Sequence, residues 1–443
     1  MEKNLALELI DFLYDSPSAC HGVKATQKIL DANGFIEIKE EDKWNLQPKG
    51  KYYVVKNDSA LIAFEVGSGD IEETGLRLIG AHTDVPGFRI KPNPQMISEG
   101  KYVKLNTEVY GGPILHTWYD RPLGIAGKVA LKGASPLKPE IRLVNINKPL
   151  LIIPSLAIHM NREVNDGYTY NAQIDMLPLY GDNSSKGSLM KTIAKEAEVE
   201  EESILDTDLF LYNRMNGTKI GSNEEYISSP RLDDLECAFT SLSAFLSENT
   251  SNSASVYCVF DNEEVGSGTK QGADSTFLYD VLRRINISLG KTEEDYYRLI
   301  SSSFMVSADN AHALHPNYTD KSDLTNKVYM NDGIVIKYNA NQKYTTDAVS
   351  ASIFKTICDS VDVPYQTFTN RSDILGGSTL GNISNAHVSL NTIDIGLAQL
   401  AMHSTYETAG AKDVTYMIDA IKAFYNTSIE QVEDGQYIVN NME

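Results

Sequence analysis

The chain has 443 residues, 42% of them hydrophobic, enough to bury a large core and to favour two or three domains over one. Its formal net charge of -21 repels phosphate backbones and anionic membrane surfaces, so neither nucleic acid nor membrane is expected as a partner. Cys20, Cys237, Cys258 and Cys358 stand far apart without a CxxC pair, which argues against a thiolate zinc site, a redox motif or a disulfide framework and leaves them as small buried side chains.

In chain order, apolar residues at helical spacing from about Asn4 to Leu13 predict a first helix starting almost at Met1, with no room for a propeptide. Glu2, Glu8 and Asp11 interrupt this start, so it lacks the apolar core of a signal peptide, and no later stretch reaches the length of a membrane span. A cytoplasmic location is expected. LRLIGAH, SVYCVF, SFMVSAD and VSLNTIDIG are short branched apolar runs suited to buried strands, each running into polar residues at its C-terminal end. Before SVYCVF, Leu232, Leu235, Phe239, Leu242 and Leu246 repeat at helical spacing. Strands alternating with helices predict an α/β fold. The stretch from about Ile90 to Ser229 differs, being rich in Pro, Gly, Asn and short strand-like runs, with a helical piece near Leu189 to Glu202. It reads as an inserted, mainly β domain, so that residues 1–89 and 231–443 form one catalytic domain and 90–230 the insertion.

Five segments place His, Asp or Glu at or just beyond an apolar run: AHTDVPG, SPRLDDL, FDNEEVGSGTKQGA, SADNAHALHPN and QLAMHS. In an open α/β sheet the carboxyl ends of strands border the ligand crevice, so the five can converge there. His82 and Asp84 form an H-x-D pair in which an imidazole binds metal while a carboxylate orients the ring. The neighbouring Glu263 and Glu264 are costly to bury unless cations compensate, and they divide naturally into one ligand and one general base. Asp233, Asp309 and His403 complete a set of nitrogen and oxygen donors without thiolate, which suits zinc and also admits manganese or cobalt. Taken singly, the H-x-D pair also fits a capped surface loop and Glu263-Glu264 a solvated acidic turn.

AHTDVPGFRIKPNP, YGGPILHTWYDRPLGIAG, IPSLAIHMNR, SPRLDDL, FDNEEVGSGTKQGA, SADNAHALHPNY, VIKYNANQKYTTDA and QLAMHS together resemble the aspartyl aminopeptidase and vacuolar aminopeptidase I family of dinuclear metallopeptidases, in the family's own order. The resemblance implies a mixed-sheet catalytic domain with an inserted β-rich dimerisation domain, two zinc ions, and removal of N-terminal residues from peptides with a free amino terminus. It implies that His82 and Asp309 hold one metal, Glu264 and His403 the other, and Asp233 both, with Glu263 as general base and Asp84 orienting His82. His159 would reach a neighbouring subunit's site. Lys337 and Tyr344 would line the substrate pocket, where the lysine could pair with an acidic side chain, although relatives preferring neutral residues have similar sequence here. Dimers combining into a tetrahedral dodecamer are implied too. The chain departs from the family's pattern at Asp234, where asparagine is common, and at Tyr406-Glu407. The rival readings are another two-metal amide hydrolase, such as a deacylase or carboxypeptidase, and an inactive scaffold of the same fold.

Overall fold

The computed structural model describes residues 4–135, 138–247 and 252–441. Four buried apolar runs lie side by side as the parallel centre of a nine-stranded mixed sheet: Ala254–Phe260, Leu76–His82, Phe304–Ala308 and Asn391–Gly396. Ala60–Glu65, Lys51–Lys56 and Ile36–Glu37 extend it on one side, Ile334–Tyr338 and Tyr365–Thr369 on the other. Strand side chains alternate between two cores. Ile79, Ala81, Tyr257, Val259, Val306 and Ile393 face one, packed with residues of the helices Leu5–Asp15, Leu232–Phe245, Ala348–Ser360 and Asp413–Tyr425. Leu78, Val256, Cys258 and Met305 face the other, against the helix Phe277–Ser288. Burial on both faces explains why these strands read as continuous apolar runs. All four cysteines are free and buried.

A second sheet has six strands in the order Lys138–Leu151, Leu123–Ser135, Ile204–Asn213, Gly87–Ser98, Tyr102–Tyr110, Leu179–Asp182, all antiparallel. Its own core, including Phe88, Leu105, Trp118, Ile125, Val144 and Leu209, is capped by Leu189 and Ile193 of the short helix Leu189–Glu196.

A third, five-stranded sheet joins distant parts of the chain: Thr218–Ile220, Tyr226–Ser229, Glu407–Gly410, Ala398–Leu400 and Ala311–His312. Thr218–Ile220 and Tyr226–Ser229 fall inside the 90–230 stretch and pair with each other, yet Tyr226–Ser229 also pairs with Glu407–Gly410 from the C-terminal part. A C-terminal hairpin, Thr427–Glu433 with Gln436–Asn441, is fastened by the fully buried Arg77, whose guanidinium donates to the carbonyls of Thr427 and Ile429, each at 3.2 Å.

Candidate metal centre and active site

The carboxyl ends of the parallel strands carry the site. His82 is the last residue of its strand, Asp309 directly follows Phe304–Ala308, and Glu263 and Glu264 form one helical turn just past Ala254–Phe260. That turn begins at Asn262, whose φ of 63° reverses the chain. Asp233 enters from the irregular first turn of the helix Leu232–Phe245, and His403 from the loop between Ala398–Leu400 and Glu407–Gly410. The small five-stranded sheet therefore brings Asp233, Asp309 and His403 to the edge of the large one. Gly111, with φ of 64°, lets the chain pass Glu264 closely: a Cβ there would lie 3.1 Å from the Cβ of Glu264.

Donor atoms of His82, Asp233 and Glu264 all lie within 4.8 Å of one another, and so do carboxylate oxygens of Asp233, Asp234 and Asp309. His403 Nε2 stands 3.3 Å from both Asp233 Oδ2 and Glu264 Oε1, and His82 Nε2 3.8 Å from Asp233 Oδ1. Both imidazoles turn Nδ1 toward a backbone carbonyl, His82 to Asp84 at 3.0 Å and His403 to Gly112 at 3.1 Å. With the proton on Nδ1, each presents the lone pair of Nε2 to the carboxylates, the arrangement that a metal ion requires.

The carboxylate of Asp84 lies farther from His82 Nδ1, at 3.4 Å, and works on other partners. It accepts the backbone N–H of Glu263 at 3.0 Å, that of Glu264 at 3.2 Å, and the hydroxyl of Tyr110 at 2.7 Å. Asp84 thus braces the whole Glu263-Glu264 turn as well as standing behind His82. Lys337 is buried, donates to the Asn310 carbonyl at 2.8 Å, and has its ammonium 3.5 Å from Asp309 Oδ1 and 5.5 Å from the centre of the Tyr344 ring. His159 lies apart, on an exposed loop of the insertion that folds back through a bond from Met160 N to Ala157 O.

Three residues that sequence reasoning left without a role belong to this centre. Glu407 is 2% exposed and holds two backbone donors, Asp233 N at 3.1 Å and His403 N at 2.8 Å, so one carboxylate fixes both. Asp234, wholly buried, accepts His82 N at 3.1 Å, a bond that an asparagine oxygen would make equally well. Tyr110 is the third. Glu407 was visible only as a departure from the family's pattern, three residues past QLAMHS, and its buried position could not be read from that.

Electrostatically the cluster is overloaded with acid. Burial drives Glu263 up to about 8, raises Glu264 and Asp309 above their ordinary values, and raises Asp234 and Glu407 well above theirs. Burial opposes protonation of His403, but Asp233 and Glu264 hold it up to about 11, and Asp84 and Asp234 likewise raise His82. Burying so many carboxylates is costly unless cations compensate. Asp233 Oδ1 and Asp234 Oδ1 are buried with no hydrogen-bond partner among the described residues. Orphaned carboxylate oxygens, imidazoles whose Nε2 faces those carboxylates, and no thiolate among the described residues of the cluster fit divalent zinc ions, which would take the place of the Nε2 protons.

Residues 12–425 match the family model for the aminopeptidase I zinc metalloproteases, M18. A probable M18 family aminopeptidase 2 from Clostridium novyi is 53% identical over 95% of this chain and 98% of its own. Among solved structures, a chain of the cryo-EM structure of the Ape4 and Nbr1 complex superposes with a TM-score of 0.92 at 34% identity, covering 95% of this chain and 85% of that one. The S. cerevisiae mApe1 dodecamer gives 0.83 at 27% identity, covering 95% of this chain and 96% of its own.

Proposed function

Because the chain belongs to the aminopeptidase I (M18) family of zinc metalloproteases, we propose that the acidic cluster is its two-metal catalytic centre and that Glu263 is the general base. The observation that carries this is the shared position of Asp233, whose two oxygens face His82 on one side and His403 on the other. His82, Asp233 and Asp309 would hold one zinc ion, Asp233, Glu264 and His403 the other. When bound, zinc supplies Lewis acidity, making water acidic near neutral pH and polarising the peptide carbonyl.

The chain's own residues do the rest. Glu263, fixed through its backbone by Asp84 and too buried to ionise as readily as a free glutamate, has the basicity to take a proton from the attacking water. It then returns that proton to the nitrogen of the leaving peptide. Asp84 holds base and ligand in one frame, Tyr110 fixes Asp84, and Glu407 fixes Asp233 and His403. The carboxylate-rich floor also favours a positively charged α-amino group, which accounts for attack at the first peptide bond only.

Specificity rests on Lys337 and Tyr344. Lys337 is the only lysine or arginine among the described residues that is ion-paired with the cluster, and Asp309 stands off from it at a loose 3.5 Å. Burial works against its charge, but Asp309, Tyr344 and Asp394 more than offset that and keep the ammonium protonated. We read it as the group that would pair with an acidic side chain of the N-terminal residue. His159 is read as serving the site of a neighbouring subunit, since its loop is exposed and apolar, with Leu156 at 55%, Ile158 at 47% and Met160 at 71% exposure. The insertion then forms a dimer contact, and the dimers a dodecamer like the solved mApe1 assembly. Four free, buried cysteines suit a reducing cytoplasm.

The test is hydrolysis of aminoacyl chromogenic amides of Asp, Glu, Leu and Lys, and of their N-acetylated forms, with zinc, manganese or cobalt added to metal-stripped protein. Metal-dependent release from the free-amine Asp and Glu substrates alone is expected. Cleavage of the acetylated forms would contradict the exopeptidase reading, and release of Leu in preference to Asp would contradict the role given to Lys337.

A further inference from the structure

A single stretch of chain, residues 111–121, runs from the metal centre to the loop that carries His159. Its first end is fastened to the site. Gly112 O faces His403 Nδ1 at 3.1 Å, and Ile114 N donates to His403 O at 2.9 Å. Thr117 adds a pair of bonds with Thr405, accepting from Thr405 N at 3.1 Å and Thr405 Oγ at 2.8 Å. Its second end is fastened to the loop, where a backbone bridge joins Tyr119 to Ile153 and Asp120 makes the side-chain contacts. Asp120 Oδ1 accepts Ser155 N at 2.9 Å, Oδ2 accepts Ser155 Oγ at 2.6 Å, and Asp120 N donates to Ile153 O at 2.9 Å.

Three features make this more than an ordinary turn. Asp120 has a φ of 57°, a left-handed conformation that aspartate tolerates better than most residues. Both of its carboxylate oxygens are spent on one partner, in the two-pronged manner that fixes direction as well as distance. From residue 156 to 161 the described chain makes no strand and only the turn bonds at Met160 and Asn161, while its apolar side chains face outward. Ser155 is therefore the last anchored residue before His159.

We propose that Asp120 is the positioning residue for His159: by clamping Ser155 it sets the direction in which the loop leaves its own subunit, and so the depth to which His159 enters the next one. The inference rests on the reading that His159 acts in a neighbouring subunit. It adds that the aim of the loop is set in the donating subunit, by a residue that touches neither substrate nor metal.

The test is complementation between two differently tagged copies, co-expressed and purified as mixed assemblies through both tags. One copy carries Glu263→Gln and supplies the loop; the other carries His159→Ala and supplies the working centre. Activity in the mixture, absent from either copy alone, establishes action across the interface, and its absence would fail that underlying reading rather than the role of Asp120. Asp120→Ala is then added to one copy at a time. In the loop-donating copy it is expected to lower kcat by at least about tenfold, since misplacement of a catalytic group by about 1 Å can cost a hundredfold. In the accepting copy, whose loop is already without its histidine, the change is expected to stay within about twofold, a small fraction of what misplacement costs. Equal loss in both placements, or loss in neither, would overturn the proposal. If the Asp120→Ala chain does not assemble, Ser155→Ala removes only the hydroxyl contact, and the same rule decides: a loss confined to the donating copy supports the clamp, and any other pattern overturns it.

Discussion

Asp84 divides its two carboxylate oxygens among the backbone of Glu263, the backbone of Glu264 and the hydroxyl of Tyr110. Removing one of these partners should loosen the base without removing a ligand. Tyr110→Phe is expected to lower kcat by about tenfold at unchanged zinc content, in line with the losses of roughly 10–100-fold seen when groups behind metal ligands are removed. Metal analysis beside steady-state kinetics checks it. Glu407→Ala leaves two buried N–H groups, on Asp233 and His403, without acceptors, and is expected to weaken zinc binding by about 10–100-fold in titration against a competing chelator. Away from the centre, burial and then Arg231 lower the His21 imidazole from 6.5 to about 4. The unfolded chain therefore takes up a proton at a higher pH than the folded one, so stability rises with pH across that window and is lost as pH falls from 6.5 toward 4. His21→Gln abolishes this contribution, and its thermal midpoint should fall less than that of the parent over the same acid range.

At the scale of elements, sequence and structure agree where burial is two-sided and disagree where a strand is short. Leu76–His82, Ala254–Phe260 and Phe304–Ala308 were legible because both faces are packed, which leaves a mostly apolar run broken only by Arg77, Ser255 and Ser307 before its C-terminal end. The helix Leu232–Phe245 was legible from leucines repeating at helical spacing. The five-stranded sheet was not, since Ala311–His312 has two residues and Thr218–Ile220 and Ala398–Leu400 three, too few to show a period. Yet that sheet sets the spacing of Asp233, Asp309 and His403. The helical piece near Leu189 to Glu202 ends at Glu196, with Ala197 as its cap. Arg77 was equally invisible, an arginine in an apolar strand whose partners are carbonyls some 350 residues away. Arg77→Met removes the two guanidinium bonds to the carbonyls of Thr427 and Ile429, costing roughly 3–6 kcal/mol at about 1.5–3 for each hydrogen bond from a charged group. A lowered thermal midpoint, with faster proteolytic loss of the C-terminal hairpin, would register it.

For the whole molecule, chemistry was more legible than assembly. His82, Asp233, Glu264, Asp309 and His403 follow strand ends or helix starts, so their convergence could be argued from the general plan of α/β sheets. Assembly depends on surface shape, which a sequence pattern does not carry. If the exposed loop around His159 is an interface, the purified protein should scatter light as a dodecamer, and dilution into subunits should abolish activity while leaving the secondary structure intact. The most direct test lies at Glu263, whose proposed role as base rather than ligand would distinguish this centre from a cluster that merely stores metal. Zinc content and turnover should be measured on the same preparation of Glu263→Gln. The expected result is the parent's zinc content with kcat lower by roughly 10²–10⁴-fold, the contribution of a general base. Parent-like turnover, or zinc lost together with activity, would contradict it.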